Sequence, residues 1–262
     1  MKELEAQIDS RASVDPGAVL GEGTTIGPFS VIGPGVVLGA RSRIASHVVI
    51  EGATTIGDDC AVHPFTCLGG PPQDLKYKGE ATRLEIGHRN VFRETCTANR
   101  GTASGGGVTR IGDGNLFMAG SHVAHDCRIG NGTIFANAAT LAGHVTVEDG
   151  ATIGAFSGVH QFCRIGEQAF IGGYSVITQD ALPYALTVGN RAASHGINVI
   201  GLRRRQVPEE VIEALRRAYR TLFRSKMQLK DALATVEATM GGIPEVVKLL
   251  AFVRTSERGV IR

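Results

Sequence analysis

Residues 111–177 read IGDGNLFMAGSHVAHDCRIGNGTIFANAATLAGHVTVEDGATIGAFSGVHQFCRIGEQAFIGGYSVI. Every sixth position of this stretch is a large apolar residue: Ile111, Phe117, Val123, Ile129, Phe135, Leu141, Val147, Ile153, Val159, Ile165, Ile171 and Ile177. The same step organises the chain upstream, through Ile8, Val14, Leu20, Ile26, Ile32, Leu38, Ile44, Ile50, Ile56, Val62 and Leu68. Ile86, Phe92 and Ala98 continue that first series in phase, and a slip of one residue separates Ala98 from Ile111. Two positions before the apolar residue there is usually a small one, such as Thr24, Ser30, Ser42, Cys127, Ala139 or Ser157. The position after it is often glycine, as at Gly27, Gly39, Gly57, Gly130 and Gly154.

A large inward side chain, a small inward side chain and a permissive turn residue make one short strand and a corner. Three such hexads close a triangular coil of eighteen residues. Stacked coils form a left-handed parallel β-helix, each coil stabilised by its neighbours. The composition fits a narrow prism: 35 of 262 residues are glycine, aromatics are 5% and tryptophan is absent. Glycine at every third position is not found, which excludes collagen. There is neither an apolar run long enough to span a membrane nor a leader-like start, so a cytoplasmic protein is expected. Five cysteines without a CxxC pair suggest neither a disulfide framework nor a zinc ribbon. Cys60, Cys96, Cys127 and Cys163 fall on the small inward position, and Cys67 falls outside it. A net charge of +2 points to no nucleic acid.

The expected organisation is a β-helix over residues 1–186 and a helical domain over 187–262. Loops near 69–85 and 99–110 interrupt the coils. From Pro208 the apolar spacing becomes helical, with Val211, Ile212, Leu215, Tyr219, Leu222 and Phe223 on one face. Further helices are expected near Leu229–Met240 and Pro244–Thr255. Nine Lys/Arg against three Glu between Arg203 and Lys230 give this region a basic surface suited to an acidic or phosphate-bearing partner.

Five of eight histidines lie between His122 and His195. Residues eighteen apart stack about 4.8 Å apart in successive coils. His125, Gly143 and Gln161 therefore form one ladder, Asp126, His144 and Phe162 the next, and His160 joins them on the same edge. These are the parts of an acyl-transfer site. An imidazole can take a proton from an attacking hydroxyl, Asp126 can hold that imidazole, and the Gly143 N–H can meet an oxyanion. No serine or cysteine pairs clearly with a base, which favours direct attack over a covalent enzyme intermediate. Clustered histidines also suit a metal, as in hexapeptide carbonic anhydrases, but the helices and the 69–85 loop have no role in that chemistry. No metal and no cofactor are expected. A non-catalytic β-helix would show regular outward Thr ladders, and the outward positions here are mixed.

The loop Gln73-Asp74-Leu75-Lys76-Tyr77, the stretch His122-Val123-Ala124-His125-Asp126-Cys127, the run Asn137–Val145 (NAATLAGHV), His160-Gln161-Phe162 and Gly201-Leu202-Arg203-Arg204-Arg205 carry a specific resemblance. Over essentially its whole length the chain resembles the UDP-N-acetylglucosamine 3-O-acyltransferase family, which performs the first acylation of lipid A biosynthesis. The resemblance implies His125 as general base, Asp126 as its support and Gly143 as oxyanion donor. It implies that Asp74, Lys76, His122, His144, His160 and Gln161 hold acceptor or acyl chain. Asn198, Arg204 and Arg205 would lie near nucleotide and phosphates, and Gly173 would leave room for a long acyl chain. It further implies a homotrimer with sites between subunits and a 3-hydroxyacyl thioester on acyl carrier protein as donor. Asn99, Ile200 and Arg191 depart from better-known members, which leaves open an acceptor bearing a 3-amino group. A related N-acyltransferase family carries an extra N-terminal domain, whereas the hexads here begin by Ile8.

Overall fold

A computed structural model describes residues 5–262. The hexads fold into short strands that stack as three parallel sheets, the walls of a left-handed prism. The first wall pairs Ile26, Ile44, Val62, Phe92, Phe117, Phe135, Ile153 and Ile171 in register. The second pairs Val123, Leu141, Val159 and Ile177, and the third Ile111, Ile129, Val147 and Ile165. All of these residues are buried. Phe92, Phe117 and Phe135 stack inside the prism at centroid spacings of 4.6 and 4.7 Å.

Two observations refine the reading of the hexad. The small inward residues are more than fillers. Thr24, Ser30 and Ser42 donate their hydroxyls to the Gly39, Ala45 and Gly57 carbonyls of the next coil, and the Cys127 thiol does the same towards Ala142. Each bond satisfies a corner carbonyl that no strand partner reaches. Most glycines that follow an apolar residue are selected by proximity, not by turn conformation. A Cβ on Gly39 would stand 2.5 Å from the Gly57 carbonyl carbon, and one on Gly154 2.5 Å from the Gly173 nitrogen. The left-handed backbone lies two residues further on, at Arg41 (φ 56°) and Phe156 (φ 57°).

Both loops enter at the corner between the second and third walls. The register records their lengths: Ile56 pairs with Ile86 and Ile86 with Ile111, where plain coils pair residues eighteen apart. Cys67 is exposed and the other four cysteines are buried.

Beyond Ile177 the chain adds Ala185–Val188 to the first wall and returns antiparallel through Ala193–Ile197. Four helices follow: α1 (Val199–Arg204), α2 (Glu209–Phe223), α3 (Leu229–Met240) and α4 (Pro244–Arg254). The sequence pattern anticipates all but α1, which is a short helix of six residues capped by the Asn198 side chain. Ile212, Leu215, Tyr219 and Leu222 of α2 pack with Val236, Leu249 and Phe252 in a second core, with Val211 and Phe223 at its margin. The Arg164 guanidinium lies 4.2 Å from the Phe252 ring centroid, tying α4 to the third wall. The chain then turns back. Ile261 is buried in the prism core and its N–H donates to the Asp180 carbonyl.

Candidate active site

The corner between the second and third walls carries His125, His144 and Gln161 on successive coils. The His144 N–H donates to the His125 carbonyl, and the Phe162 N–H to the Gly143 carbonyl, so the expected ladders form. The His144 ring stacks on Phe162 at 4.5 Å and meets His125 edge-on at 5.2 Å.

His125 Nδ1 lies 2.8 Å from Asp126 Oδ2. The Asp126 side chain is 1% exposed and that of His125 16%. Such a buried carboxylate is stable only when hydrogen-bonded. Thr102 supplies what His125 does not: its N–H donates to Oδ1 (2.9 Å) and its hydroxyl to Oδ2 (2.6 Å). The Asp126 N–H in turn donates to Thr109 Oγ1 at 2.8 Å. With Nδ1–H engaged by the carboxylate, His125 presents Nε2 as a free acceptor. The imidazole covers Gly143, where a Cβ would stand 2.5 Å from its Cε1. The Gly143 N–H makes no hydrogen bond to the described residues and remains available as a donor.

The 69–85 loop faces this corner. Asp74, Lys76, Ser104, His125, His144 and Gln161 line one cleft of about 930 Å³. The Asp74 carboxylate accepts from the Lys76 N–H at 2.9 Å. His122 is placed beside the cleft, its Nδ1 2.7 Å from Thr97 Oγ1. His160 stands at the margin, where its Nδ1 is 3.2 Å from the Gln161 carbonyl oxygen and 3.4 Å from Arg258 Nη2.

The remaining expected residues lie elsewhere on the same chain. Gly173 sits at the corner between the first and second walls, 3.3 Å from the Ala155 carbonyl if a Cβ is added. Asn198 caps α1 by accepting from the Gly201 N–H. Arg205 donates to the Gly150 carbonyl at 2.6 Å, docking α1 on the corner between the third and first walls. Arg204 is exposed. One chain therefore gathers Asp74, Lys76, His125, Asp126, Gly143, His144 and Gln161, and leaves Gly173, Asn198, Arg204 and Arg205 apart. Of the departures, Asn99 bridges to the Pro71 carbonyl, and Ile200 is 66% exposed.

The residues missed from the sequence are Thr102, Gly105 and Thr109, all around the 99–110 loop. A Cβ on Gly105 would fall 2.1 Å from the Asp126 carboxyl carbon, so the loop closes on Asp126 only through glycine. The one signal pointing to them was the phase slip between Ala98 and Ile111. His125, Asp126 and His144 also bring potential ligand atoms within 4.8 Å of one another. Asp126 Oδ2 is already taken by Thr102 and His125, an arrangement for hydrogen bonding and not for a cation.

Burial holds the His144 and His122 imidazoles below the ordinary value of 6.5, for His144 against the opposing pull of Asp126. A folded-state value below the unfolded one means the unfolded chain takes up protons first as the solution acidifies. This contribution to stability is complete above pH 6.5 and is lost as pH falls below it. His144→Gln should therefore narrow the drop in Tm between pH 7 and pH 5.5, by on the order of 2 °C. An identical drop in variant and parent would contradict the assignment to His144.

The helical segment over residues 180–261 matches the family model described as UDP-N-acetylglucosamine O-acyltransferase, domain 2. Residues 17–52, 109–143 and 144–179 match bacterial transferase hexapeptide repeats. An acyl-[acyl-carrier-protein]–UDP-N-acetylglucosamine O-acyltransferase of Alkalilimnicola ehrlichii is 54% identical over 98% of this chain and 99% of its own length.

The chain belongs to the UDP-N-acetylglucosamine O-acyltransferase family.

A second family member, from Thermodesulfovibrio yellowstonii, is 47% identical over 98% of this chain and 95% of its own. The solved UDP-N-acetylglucosamine acyltransferase of Bacteroides fragilis superposes with a TM-score of 0.95 at 42% identity, covering 98% of this chain and 100% of that one. The family likeness thus spans prism and helices alike. No helix of the described residues is long and apolar enough to cross a membrane.

Proposed function

We propose that this enzyme transfers a 3-hydroxyacyl group from acyl carrier protein to the 3-hydroxyl of UDP-N-acetylglucosamine, the first step of lipid A biosynthesis. The observation that carries the reading is the His125–Asp126 pair laid over the bare backbone of Gly143. His125 Nε2 takes the proton of the sugar 3-hydroxyl as its oxygen bonds to the thioester carbonyl carbon. Asp126 accepts from Nδ1–H and supports the imidazolium. The Gly143 N–H donates to the carbonyl oxygen as it becomes an oxyanion. Collapse breaks the carbon–sulfur bond, and the carrier thiolate leaves with the proton held by His125. No residue is acylated.

His122, His144, His160, Gln161, Asp74 and Lys76 would hold the reactants around this centre. Gly173, Asn198, Arg204 and Arg205 face away from the cleft of their own chain, so a site using them is built between neighbouring subunits. That geometry favours a homotrimer, with Gly173 leaving space for a long acyl chain. On the helices, Arg203, Arg216 and Arg220 pair with Glu209 and Glu213. Arg204, Arg217, Lys226 and Lys230 make no ion pair among the described residues and would meet an acidic carrier protein. We place the reaction in the cytoplasm, in keeping with five cysteines that form no disulfide.

The deciding experiment is a transfer assay with hydroxyacyl carrier proteins of graded length and both the 3-hydroxy and 3-amino sugar nucleotides. Ester formation with the 3-hydroxy acceptor is expected. Amide formation alone would move the enzyme to the alternative acceptor, and no transfer to either would defeat the reading.

A further inference from the structure

Asp126 Oδ2 lies within reach of two imidazoles, 2.8 Å from His125 Nδ1 and 3.7 Å from His144 Nε2. Nothing in the coil itself decides between them, because both histidines project from the same corner one rung apart. The choice is made by the 99–110 loop. We infer that Thr102 is a positioning residue that keeps the Asp126 carboxylate on His125 and away from His144.

Thr102 grips both carboxylate oxygens, Oδ1 through its N–H and Oδ2 through its hydroxyl. The hydroxyl proton points to Oδ2, because a carboxylate oxygen accepts and does not donate. Thr102 caps the short turn Ala103–Gly105, and its Oγ1 accepts from the Gly105 N–H at 3.1 Å. Ser104 Oγ is a further neighbour of Oγ1 at 3.3 Å, well beyond the 2.6 Å contact with Oδ2. Two donors, Thr102 Oγ1–H and His125 Nδ1–H, then converge on one oxygen. The carboxylate plane is held by the backbone N–H on the other. Thr102 is 4% exposed, which shields the bond from bulk solvent. Gly105 completes the clamp by letting the loop lie against the carboxylate without a side chain.

Losing the hydroxyl frees the carboxylate to turn towards His144, and it removes one donor from an anion facing two imidazoles. Asp74 and Lys76 are the other charged groups lining the cleft. The inference rests on His125 as base, so His125→Ala is measured alongside.

Thr102→Val keeps the shape and the N–H but removes the hydroxyl. Its kcat should fall about tenfold to a hundredfold, the range set by comparable outer hydrogen bonds. KM for UDP-N-acetylglucosamine should stay within about twofold, and the acidic limb of the kcat/KM profile should move. Thr102→Ser, which retains the hydroxyl, should recover most of kcat and the parental limb. Should valine prevent folding, Thr102→Ala carries the same comparison. A removed hydroxyl with kcat within twofold and an unmoved limb overturns the inference, as does a loss that serine fails to restore. If His125→Ala itself remains active, the base assignment fails and not merely its positioning.

Discussion

His125→Ala should transfer acyl groups about 10²- to 10⁴-fold more slowly than the parent, the span of a lost general base. The fold should persist. The His125 side chain is partly exposed at a corner and contributes nothing to the prism core, and Asp126 retains both Thr102 bonds when the imidazole is gone. KM for the sugar nucleotide should change little, because the base acts on a proton that moves in the transition state. Added imidazole should restore part of the rate by entering the vacated space above Gly143. Steady-state kinetics with a thermal melt on the same sample make the check. A variant that keeps kcat within a few fold would remove His125 from the chemistry.

Gly143→Ala should be almost as damaging for a different reason. Gly143 does not adopt a left-handed backbone, so alanine costs little in conformation. Its Cβ would instead stand 2.5 Å from His125 Cε1 and 2.8 Å from Nε2. The ring must swing out, breaking its bond to Asp126 and leaving the space where the reacting hydroxyl would sit. Loss of the base geometry and disturbance of the oxyanion donor together should lower kcat about 10²- to 10³-fold. The melting temperature should stay near that of the parent, and a structure of the variant should show His125 rotated. Unchanged kinetics would mean that the base does not work over Gly143.

The prism was legible because its signal is one of period. A six-residue step recurs more than twenty times, and each recurrence reports the same inward position. The ladder His125–Gly143–Gln161 followed by counting coils, since a strictly stacked backbone turns sequence distance into spatial distance. Where the period broke, so did the reading. Thr102 and Gly105 sit in the phase slip, and their contact with Asp126 depends on loop geometry that no count of residues supplies. The recurring corner glycine suggests a turn conformation, yet proximity to the next coil selects it. Sequence shows that a position is glycine but not which neighbour made it so. The six residues of α1 are too few to leave a helical period in the sequence.

The return of Ile261 to the prism has a bearing on how the chain is made. Each wall grows by adding a strand to an open edge, and coils can form in order as the polypeptide leaves the ribosome. The last edge, around Ile177 and Asp180, has no full coil to follow it, although the Val176 N–H donates to the Gly189 carbonyl. Its seal is Gly259–Ile261, reached only after all four helices have been synthesised. Throughout that interval the Asp180 backbone lacks these partners and leaves part of the edge open to another nascent chain. The speed with which the helical segment folds and delivers its tail therefore governs how long the growing prism is exposed to misassembly.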